Sequence, residues 1–525
     1  MDSLNAWATN RNPRRAPLVR RSAVRLFEKR VNDLSAAEPS NTAAKSCPLS
    51  RMMAYALGEC ANSLVINGVF GFALLYYTKA LGLDPSWAGI AMSVSVFWEA
   101  VSEPVMGHIS DNTRSRWGRR HPYMMFGGLL MAICCYLIWV VPSAIRHSQL
   151  AIFWYLVTIN LTLRTGLTMY FIPYLALGFE LCTDYQGRSR IQGLRQVFNM
   201  AANFAGPAMA WSLFFQDKGG IRGTTVPANY LHMGLVFAVA TAVFVLIVSL
   251  STFRLREDTR QAVRETDTGW VRGFFFDMKQ ILQDPNNLWV VGFIFLLCVG
   301  TVLVSALQVF VYDDFMKFSA NQKTMAHGST MVGAALGAFL SMRLANRFDK
   351  RGAVMIGGLI SVGCNGMLAL LFVTGIVAPA ATRSLGGMTI PLALWLFVAF
   401  HAGYWLGTGI MVPIATAMIA DISEIHFLQT GIKKDGGYSS VFSLAMRFAY
   451  AFGLMASGHC LHLIGYQVPQ GGGVVTQSSE AIRRLGLVTF VGGALICLVA
   501  LLAIQRYPVT RSRLVELRAK KPAGV

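Results

Sequence analysis

The chain has 525 residues, of which 54% are hydrophobic and 14% charged, and its mean hydropathy is +0.48. Soluble domains carry roughly 25% charged residues, so this composition cannot cover the surfaces of two or three soluble domains. The hydrophobic residues lie in long runs of about the 20 residues that a bilayer core requires of a helix. We therefore exclude a soluble enzyme and expect a polytopic membrane protein.

The charge balance is strongly positive, with 46 Lys and Arg against 26 Asp and Glu and a net charge of +20. In a soluble protein this excess would suggest nucleic-acid binding, whereas in a membrane protein it indicates which loops remain in the cytoplasm. We expect no nucleic-acid partner. The nine cysteines show no CxxC pair and no metal-ligand spacing with histidine, so we expect no metal, no cofactor and no disulfide framework.

Apolar runs bounded by charges predict an all-α membrane protein with twelve transmembrane helices in two six-helix bundles. The predicted spans are 52–79, 86–110, 123–143, 149–178, 193–215, 232–253, 287–314, 325–345, 353–376, 391–420, 438–466 and 485–506. With an even number of spans both termini share one side, and 34 of the 46 Lys and Arg residues lie on that side against nine on the other. Positively charged loops stay cytoplasmic, so we expect a cell (inner) membrane protein with both termini inside.

The same pattern predicts five segments. Residues 1–50 form a basic tail that contacts anionic lipid headgroups, and residues 507–525 form a second basic cytoplasmic tail. Residues 51–253 and 287–506 are the two six-helix bundles. Between them, 254–286 is a charged cytoplasmic loop that ends in an amphipathic pattern typical of an interfacial helix.

The second half repeats features of the first. SDNTRSRWGRR follows the second span and NRFDKRG the eighth, and the fourth and tenth spans carry Pro173 and Pro413 at matching places. Asp111 lies 62 residues before Pro173, and Asp349 lies 64 residues before Pro413. Such duplicated halves are typical of secondary transporters, with the substrate site between them at the membrane midplane.

Ionisable side chains inside membrane helices are costly and point to function. Glu99 and Glu103 lie four residues apart and share one helix face, with Ser102 beside them. Two carboxylates this close require a cation between them or a shared proton, which predicts a cation or proton site. The alternative is a purely structural pair of salt bridges to Arg195 and Arg447.

The remaining intramembrane candidates are less specific. Arg195 and Arg447 are each either a partner of a helix 2 acid or a donor to substrate hydroxyls, and Arg195 could instead extend to the interface. Glu59, four residues before Ser63, is either a pore-lining acid or a helix cap. Single residues with open roles are Arg164, His401, which packing explains better than proton transfer, and Tyr404, a candidate for stacking on a sugar.

Several stretches in chain order resemble the glycoside-pentoside-hexuronide:cation symporters of the major facilitator superfamily, the family of melibiose permease. They are GECANSLVINGVFGFALLYYT, WEAVSEPVMG with DNTRSRWGRRHPY, PYLALGFELCTDYQGRSRIQGLRQ, and ADISEIHFLQTG with DGGYSSVFSLAMRF. The resemblance covers roughly residues 52–506. It implies H⁺- or Na⁺-coupled symport of a small-molecule substrate, a sugar or glycoside, by a monomer in contact with membrane lipids.

The resemblance also implies a cation site formed by Glu99, Ser102, Glu103 and Thr168, four oxygen donors suited to a hard cation. Arg195 and Arg447 correspond to the family's helix 5 arginine and helix 11 lysine. Sugar-gripping residues differ, because Ser63 and Phe171 stand where melibiose permease has acids, and Leu175 replaces its stacking tryptophan. The galactoside clamp is therefore absent, which leaves the substrate open.

We predict that short basic turns close the cytoplasmic side by ion pairs when the site faces outward. The predicted gate residues are Asp111, Arg114, Arg116, Arg119, Arg120 and Asp421.

Three rival functions remain from sequence. A membrane enzyme is disfavoured because no nucleophile, base or metal cluster converges in the sequence. A sensor with a transporter fold is disfavoured by the pair of helix 2 acids. A carrier of lysolipids or other amphiphiles stays open because Phe171 and Leu175 are apolar.

Overall fold

The computed structural model describes residues 48–181, 185–217, 219, 221–253, 278, 280–385, 388–431, 434–469, 475–509, 513–514 and 516–517. The predicted N-terminal tail therefore lies almost wholly outside the described residues, as do most of the predicted central loop and the C-terminal tail. The helices below belong to the predicted 51–253 and 287–506 bundles, which we call the N-half and the C-half.

The described residues form twelve long helices. They are α1 Leu49–Ala80, α2 Pro85–Asn112, α3 His121–Leu137, α4 Gln149–Leu181, α5 Tyr185–Met209 continued by Ala210–Phe214, α6 Pro227–Ser251, α7 Pro285–Phe315, α8 320–348, α9 350–373, α10 Leu392–Thr430, α11 Asp435–Leu463 and α12 Ser479–Ile504. The predicted all-α major facilitator architecture is confirmed. We call the end of the bundle where α1 begins and α12 ends the terminal end, and the opposite end the far end.

Eight stretches of the described residues are long and apolar enough to cross a membrane, and one of them contains both α8 and α9. α3 is apolar but shorter. α2 and α5 are less apolar because α2 carries Glu99 and Glu103 and α5 carries Arg195. Charged candidate residues also lie on the more apolar helices, since α1 carries Glu59, α4 carries Arg164 and α11 carries Arg447.

Helix ends differ from the predicted spans mainly where helices continue into polar sequence. α5 begins eight residues before the predicted start, and α10 runs to Thr430, where Gly431 ends it in the left-handed region with φ 73°. The α8–α9 connection is a single non-helical residue, Asp349, with φ 62°. Hydropathy marks the membrane-embedded part of a helix, whereas backbone hydrogen bonding continues beyond it.

A short antiparallel hairpin connects α9 to α10. Its strands are β1 Arg383–Leu385 and β2 Met388–Ile390, with Arg383 opposite Ile390. The sequence did not predict these strands, because they lie in a loop without a long alternating pattern.

Two tyrosines join α1 to α4 on the terminal side of the N-half. The Tyr55 hydroxyl donates to the Tyr174 carbonyl at 2.7 Å, the Tyr174 hydroxyl donates to the Tyr55 carbonyl at 3.2 Å, and the rings stack with centroids 4.5 Å apart. Gly58 permits this approach, because a Cβ at that position would lie 2.5 Å from the Tyr174 ring. The packing places the next residue, Glu59, in the interior of the bundle.

The two halves meet closely along α2 and α11 near the far end. A Cβ on Gly458 would lie 2.2 Å from the Pro85 carbonyl oxygen, and one on Gly89 would lie 2.9 Å from the Leu454 carbonyl oxygen. Small residues of this kind let membrane helices approach backbone to backbone. The contact brings the middle of α11 beside the middle of α2, where the acidic pair lies.

Candidate functional site

The helix 2 acids form an ion-pair cluster that joins the two halves of the protein. Arg447 of α11 donates from Nη2 to Glu103 Oε1 at 2.6 Å, and its Nη1 lies 3.1 Å from Glu99 Oε1. Arg164 of α4 donates from Nη1 to Glu99 Oε2 at 2.7 Å. The Glu99 and Arg164 side chains are 1% and 2% exposed, whereas Glu103 is 20% exposed and Arg447 26%. Glu99 is thus the enclosed acid and Glu103 the accessible one.

Two hydroxyls border the acids. Ser102 Oγ and Thr168 Oγ1 lie 3.2 Å apart, and Ser102 Oγ also donates to the Glu99 carbonyl oxygen at 3.3 Å. All four residues of the predicted cation set therefore lie on facing parts of α2 and α4. Carboxylates and hydroxyls supply only oxygen ligands, the type that Na⁺ and other hard cations prefer.

Arg195 has a different partner from the one that the salt-bridge alternative assigned to it. It donates to Glu59 Oε1 of α1 through Nε at 2.8 Å and also through Nη2, and its guanidinium lies over the Tyr174 ring. Pairing of Arg195 with Glu99 or Glu103 is therefore wrong, and Arg164 occupies that place. Arg195 pairs with Glu59 because α5 packs against α1, and Arg164 pairs with Glu99 because α4 packs against α2.

Three arginines and three carboxylates balance one another near the middle of the described helices. Arg164, Arg195 and Arg447 face the carboxylates at positions 59, 99 and 103 in direct ion pairs. The attraction within each pair offsets much of the free energy needed to remove the two charges from water. Removing one partner would leave the other charge buried and uncompensated, which would destabilise the protein. A cation entering between the acids must therefore compete with a guanidinium.

Tyr404 and His401 are buried in the C-half, away from this cluster. The Tyr404 carbonyl accepts from Ser361 Oγ at 2.8 Å and from Thr408 Oγ1 at 3.2 Å. His401 Nε2 lies 3.0 Å from the Tyr312 hydroxyl and 3.1 Å from Gln308 Oε1. These partners belong to α7, α9 and α10, and the contacts fit packing roles for both residues.

The predicted gate residues lie at the terminal end, and one ion pair is present in each half there. Arg120 Nη2 lies 3.3 Å from Asp111 Oδ1 in the N-half, and Lys350 Nζ lies 2.6 Å from Asp421 Oδ2 in the C-half. Arg120 is buried, Arg119 is half-buried, and Arg114 and Arg116 are exposed. Lys350 lies in the NRFDKRG turn that the sequence repeat indicated.

A second ionic network closes the far end, and sequence reasoning missed it. Lys79 of α1 pairs with Asp313 and Asp314 of α7, and Lys323 Nζ donates to Asp313 Oδ1 at 2.6 Å. Arg222 Nη1, from the α5–α6 connection, lies 2.9 Å from Asp314 Oδ1. The Lys79, Asp313, Asp314 and Lys323 side chains are all less than one-tenth exposed.

The far-end network links the N-half to the C-half, since Lys79 and Arg222 belong to one and the two aspartates to the other. The only sequence signal was the pair Asp313-Asp314 at the end of an apolar run, opposite a lysine at the end of another. Lys79 lies 234 positions from Asp313, so no local pattern connects them.

The terminal side contains a cavity. A cavity of about 720 Å³ lies there between α10 and α11, lined by Ser423, Phe427, Asp435, Phe442 and Ser443 among others. The structure therefore has a closed far end, a charge cluster at mid-length and a cavity on the terminal side.

Residues 54–511 match the family described as MFS/sugar transport protein. The chain belongs to this family. It is a membrane transporter with the major facilitator fold, and residues Glu99, Glu103 and Arg447 lie where its two halves meet.

Relatives cover nearly the whole chain. The glucuronide carrier protein homolog of Escherichia coli is 24% identical over 89% of this chain and 94% of its own. The isoprimeverose transporter of Lactiplantibacillus pentosus is 23% identical over 86% and 87%. Sodium-dependent lysophosphatidylcholine symporter 1-B of Danio rerio is 21% identical over 88% and 87%.

Solved structures agree on the fold. A D-xylose-proton symporter superposes with a TM-score of 0.59 at 13% identity, covering 89% of this chain and 99% of its own. A bacterial homolog of the human lysosomal transporter Spinster, inward-facing and unoccupied, gives 0.59 at 13% identity, covering 90% and 100%.

Proposed function

We propose that this protein is a symporter that couples entry of H⁺ or Na⁺ to transport of a sugar or glycoside by alternating access. The observation that carries the proposal is the position of Arg447, which contacts Glu99 and Glu103 from the opposite half of the molecule. Relatives with this family's sequence pattern include a glucuronide carrier homolog and an isoprimeverose transporter.

Competition between Arg447 and the cation supplies the coupling. Na⁺ held by the two acids, with Ser102 and Thr168 beside it, or a proton bound to one acid, offsets the negative charge that attracts the guanidinium and so releases Arg447. The freed arginine then needs hydrogen-bond acceptors, which substrate oxygens provide. Cation and substrate therefore favour the same loaded state and cross together.

Access follows from the two ends of the bundle. Lys79 and its aspartates join the two halves at the far end, whereas the cavity lies on the terminal side. Because positively charged loops favour the cytoplasm, we assign the terminal end to the cytoplasmic side of the inner membrane and the structure to an inward-facing state. Fusing a cytoplasm-dependent fluorescent reporter to either terminus tests this orientation, since a dark fusion at both termini would reverse it.

Uptake by proteoliposomes tests the transport proposal. The probes are radiolabelled isoprimeverose and p-nitrophenyl β-D-glucuronide, each with an inward Na⁺ gradient, an inward H⁺ gradient or none. We expect one gradient to drive accumulation in the parent protein. Glu103→Gln should abolish accumulation and retain exchange, because the neutral side chain no longer binds a cation or competes for Arg447.

Glu480→Gln is the matched control, since Glu480 is about half exposed on α12 and, among the described residues, forms ion pairs only with neighbouring arginines of that helix. It should leave accumulation unchanged. Gradient-driven accumulation that persists in Glu103→Gln would remove this acid from the coupling mechanism.

A carrier of a lysolipid or another amphiphile is the second candidate. Phe171 is half-buried and stacks on Tyr174, close to the ion pair between Arg195 and Glu59. An apolar ring therefore lies at the position where melibiose permease has a sugar-binding acid. A relative described as a lysophosphatidylcholine symporter covers most of the chain. Lysophosphatidylcholine as a third probe separates the two, because cation-driven uptake of it alone would favour the amphiphile.

A further inference from the structure

Polar side chains form a continuous ladder between α1 and α5 in the N-half. Each helix contributes three of them at intervals of four residues, which places each set on one helix face. The ladder consists of Glu59, Ser63 and Asn67 from α1 and Arg195, Asn199 and Asn203 from α5.

Hydrogen bonds connect the ladder from end to end. Asn199 Nδ2 donates to Ser63 Oγ at 2.9 Å, Asn203 Nδ2 donates to Asn199 Oδ1 at 3.0 Å, and Asn67 Nδ2 donates to Asn203 Oδ1 at 2.6 Å. The Arg195–Glu59 pair lies at the end of the ladder that is closest to the terminal end, and the two opposite charges neutralise each other. Above that pair the ladder presents only uncharged donors and acceptors.

The ladder borders the space between the halves. Asn67, Asn199 and Asn203 are all half-buried rather than enclosed. Next to Asn203, Phe204 is 47% exposed and extends to α8 of the C-half, where a Cβ on Gly328 would lie 3.1 Å from the phenylalanine ring. The amides are therefore within reach of a molecule that occupies this space.

The ladder also adjoins the cation cluster. Phe70 lies one helical turn after Asn67, and the Arg164 guanidinium that pairs with Glu99 lies 4.1 Å from the centre of the Phe70 ring. A substrate on the ladder would thus lie next to the acids at which a cation is coupled.

The ladder's chemistry suits sugar hydroxyls. A hydroxyl both donates and accepts, and an amide offers two N–H donors and a carbonyl acceptor. Among the described residues Asn67 Oδ1 accepts no hydrogen bond, and the single bond that Asn203 Nδ2 donates leaves its second N–H available.

We propose that Asn67, Asn199 and Asn203 form the subsite that binds ring hydroxyls of the transported glycoside and sets its specificity. The proposal rests on the function proposed above. The Glu59–Arg195 pair positions α1 against α5 and contributes no net charge, so the subsite selects hydroxyl pattern rather than charge.

Transport by Asn67→Ala and Asn203→Ala tests the subsite with the same two probes. Each variant loses one hydrogen bond to an uncharged group, so the KM should rise about 3- to 10-fold. The Na⁺- or H⁺-induced rise in melting temperature should stay as in the parent. Ser212→Ala on α5 is the control, because that hydroxyl bonds to the Ala208 carbonyl of its own helix.

Analogues of the transported probe that lack one hydroxyl distinguish binding from packing. If Asn203 binds a hydroxyl, the analogue without it loses affinity in the parent protein but loses little more in Asn203→Ala. If Asn67→Ala and Asn203→Ala leave the KM unchanged but lower the melting temperature, the ladder only holds α1 against α5, and the proposed subsite is overturned. Absence of uptake of either probe by the parent would instead overturn the proposed sugar function.

Discussion

Replacing Arg447 by alanine should destabilise the protein through Glu103 rather than through Glu99. Glu99 keeps its bond to Arg164 in this variant, whereas the only ion pair that the structure describes for Glu103 is the one with Arg447. The change therefore leaves one carboxylate in the middle of the bundle without its counter-ion.

The size of the effect follows from burial. Breaking a fully buried ion pair by removing one partner costs about 3–5 kcal/mol. Glu103 is 20% exposed and Arg447 26%, so water reduces the cost, and we expect a loss of about 2 kcal/mol. Adding Glu103→Gln removes the uncompensated charge, and this double variant should recover most of that loss.

Adding Glu99→Gln to Arg447→Ala should have the opposite result. Glu99 is the partner of Arg164, which is 2% exposed, so the second change leaves a buried guanidinium unpaired and lowers stability further. Thermal unfolding of purified protein in nanodiscs, followed by tryptophan fluorescence, measures all variants. Arg483→Ala, at an exposed side chain, is the control and should change stability by less than about 0.5 kcal/mol.

Transport should remain absent in both double variants, because both lack the arginine that competes with the cation. If the stability losses of Arg447→Ala and Glu103→Gln simply add, the two side chains are not coupled and the ion-pair reasoning fails. If Glu99→Gln, and not Glu103→Gln, restores the stability lost in Arg447→Ala, then Glu99 is the acid that depends on Arg447 for its counter-ion.

Three further changes test the ends of the bundle and its packing. Lys79→Met should weaken the far-end network and raise labelling of that end by an impermeant thiol reagent at an introduced cysteine. Lys350→Ala should remove the pair with Asp421 within the C-half and lower stability by about 1 kcal/mol or less, measured by thermal unfolding, because both side chains are partly exposed. Gly58→Ala should lower stability by about 1–3 kcal/mol because its Cβ meets the Tyr174 ring, whereas Gly71→Ala, with open space around it, should be neutral or slightly stabilising.

Contrary outcomes are clear for each change. Equal labelling of Lys79→Met and parent would make the far-end network a packing feature only. Unchanged stability of Lys350→Ala would leave that turn as a topology signal. Equal stability of the Gly58 and Gly71 variants would contradict the close approach of α1 and α4.

Sequence alone determined the number of helices, the duplicated halves and the shared face of Glu99 and Glu103. These features depend on local quantities: apolar run length, charge count and the 3.6-residue period of a helix. The motifs that resemble known symporters added Thr168, which the structure places 3.2 Å from Ser102 beside the acids. Whether they bind a cation remains a prediction for the uptake experiments.

Only the tertiary structure decided which charge faces which. Neither Arg164 nor Arg195 has an acidic residue within one helical turn in the sequence. Whether each pairs with Glu99 or Glu59 depends on how α4 and α5 pack around α1 and α2. The pairs Lys79–Asp313 and Arg447–Glu103 join residues 234 and 344 positions apart. Ion pairs act over a few ångströms in space, and a helix period defines a face but not the helix that covers it. Sequence patterns therefore indicated no partner for Lys79, and they named a helix 2 acid as only one of two alternatives for Arg447, which the structure selects.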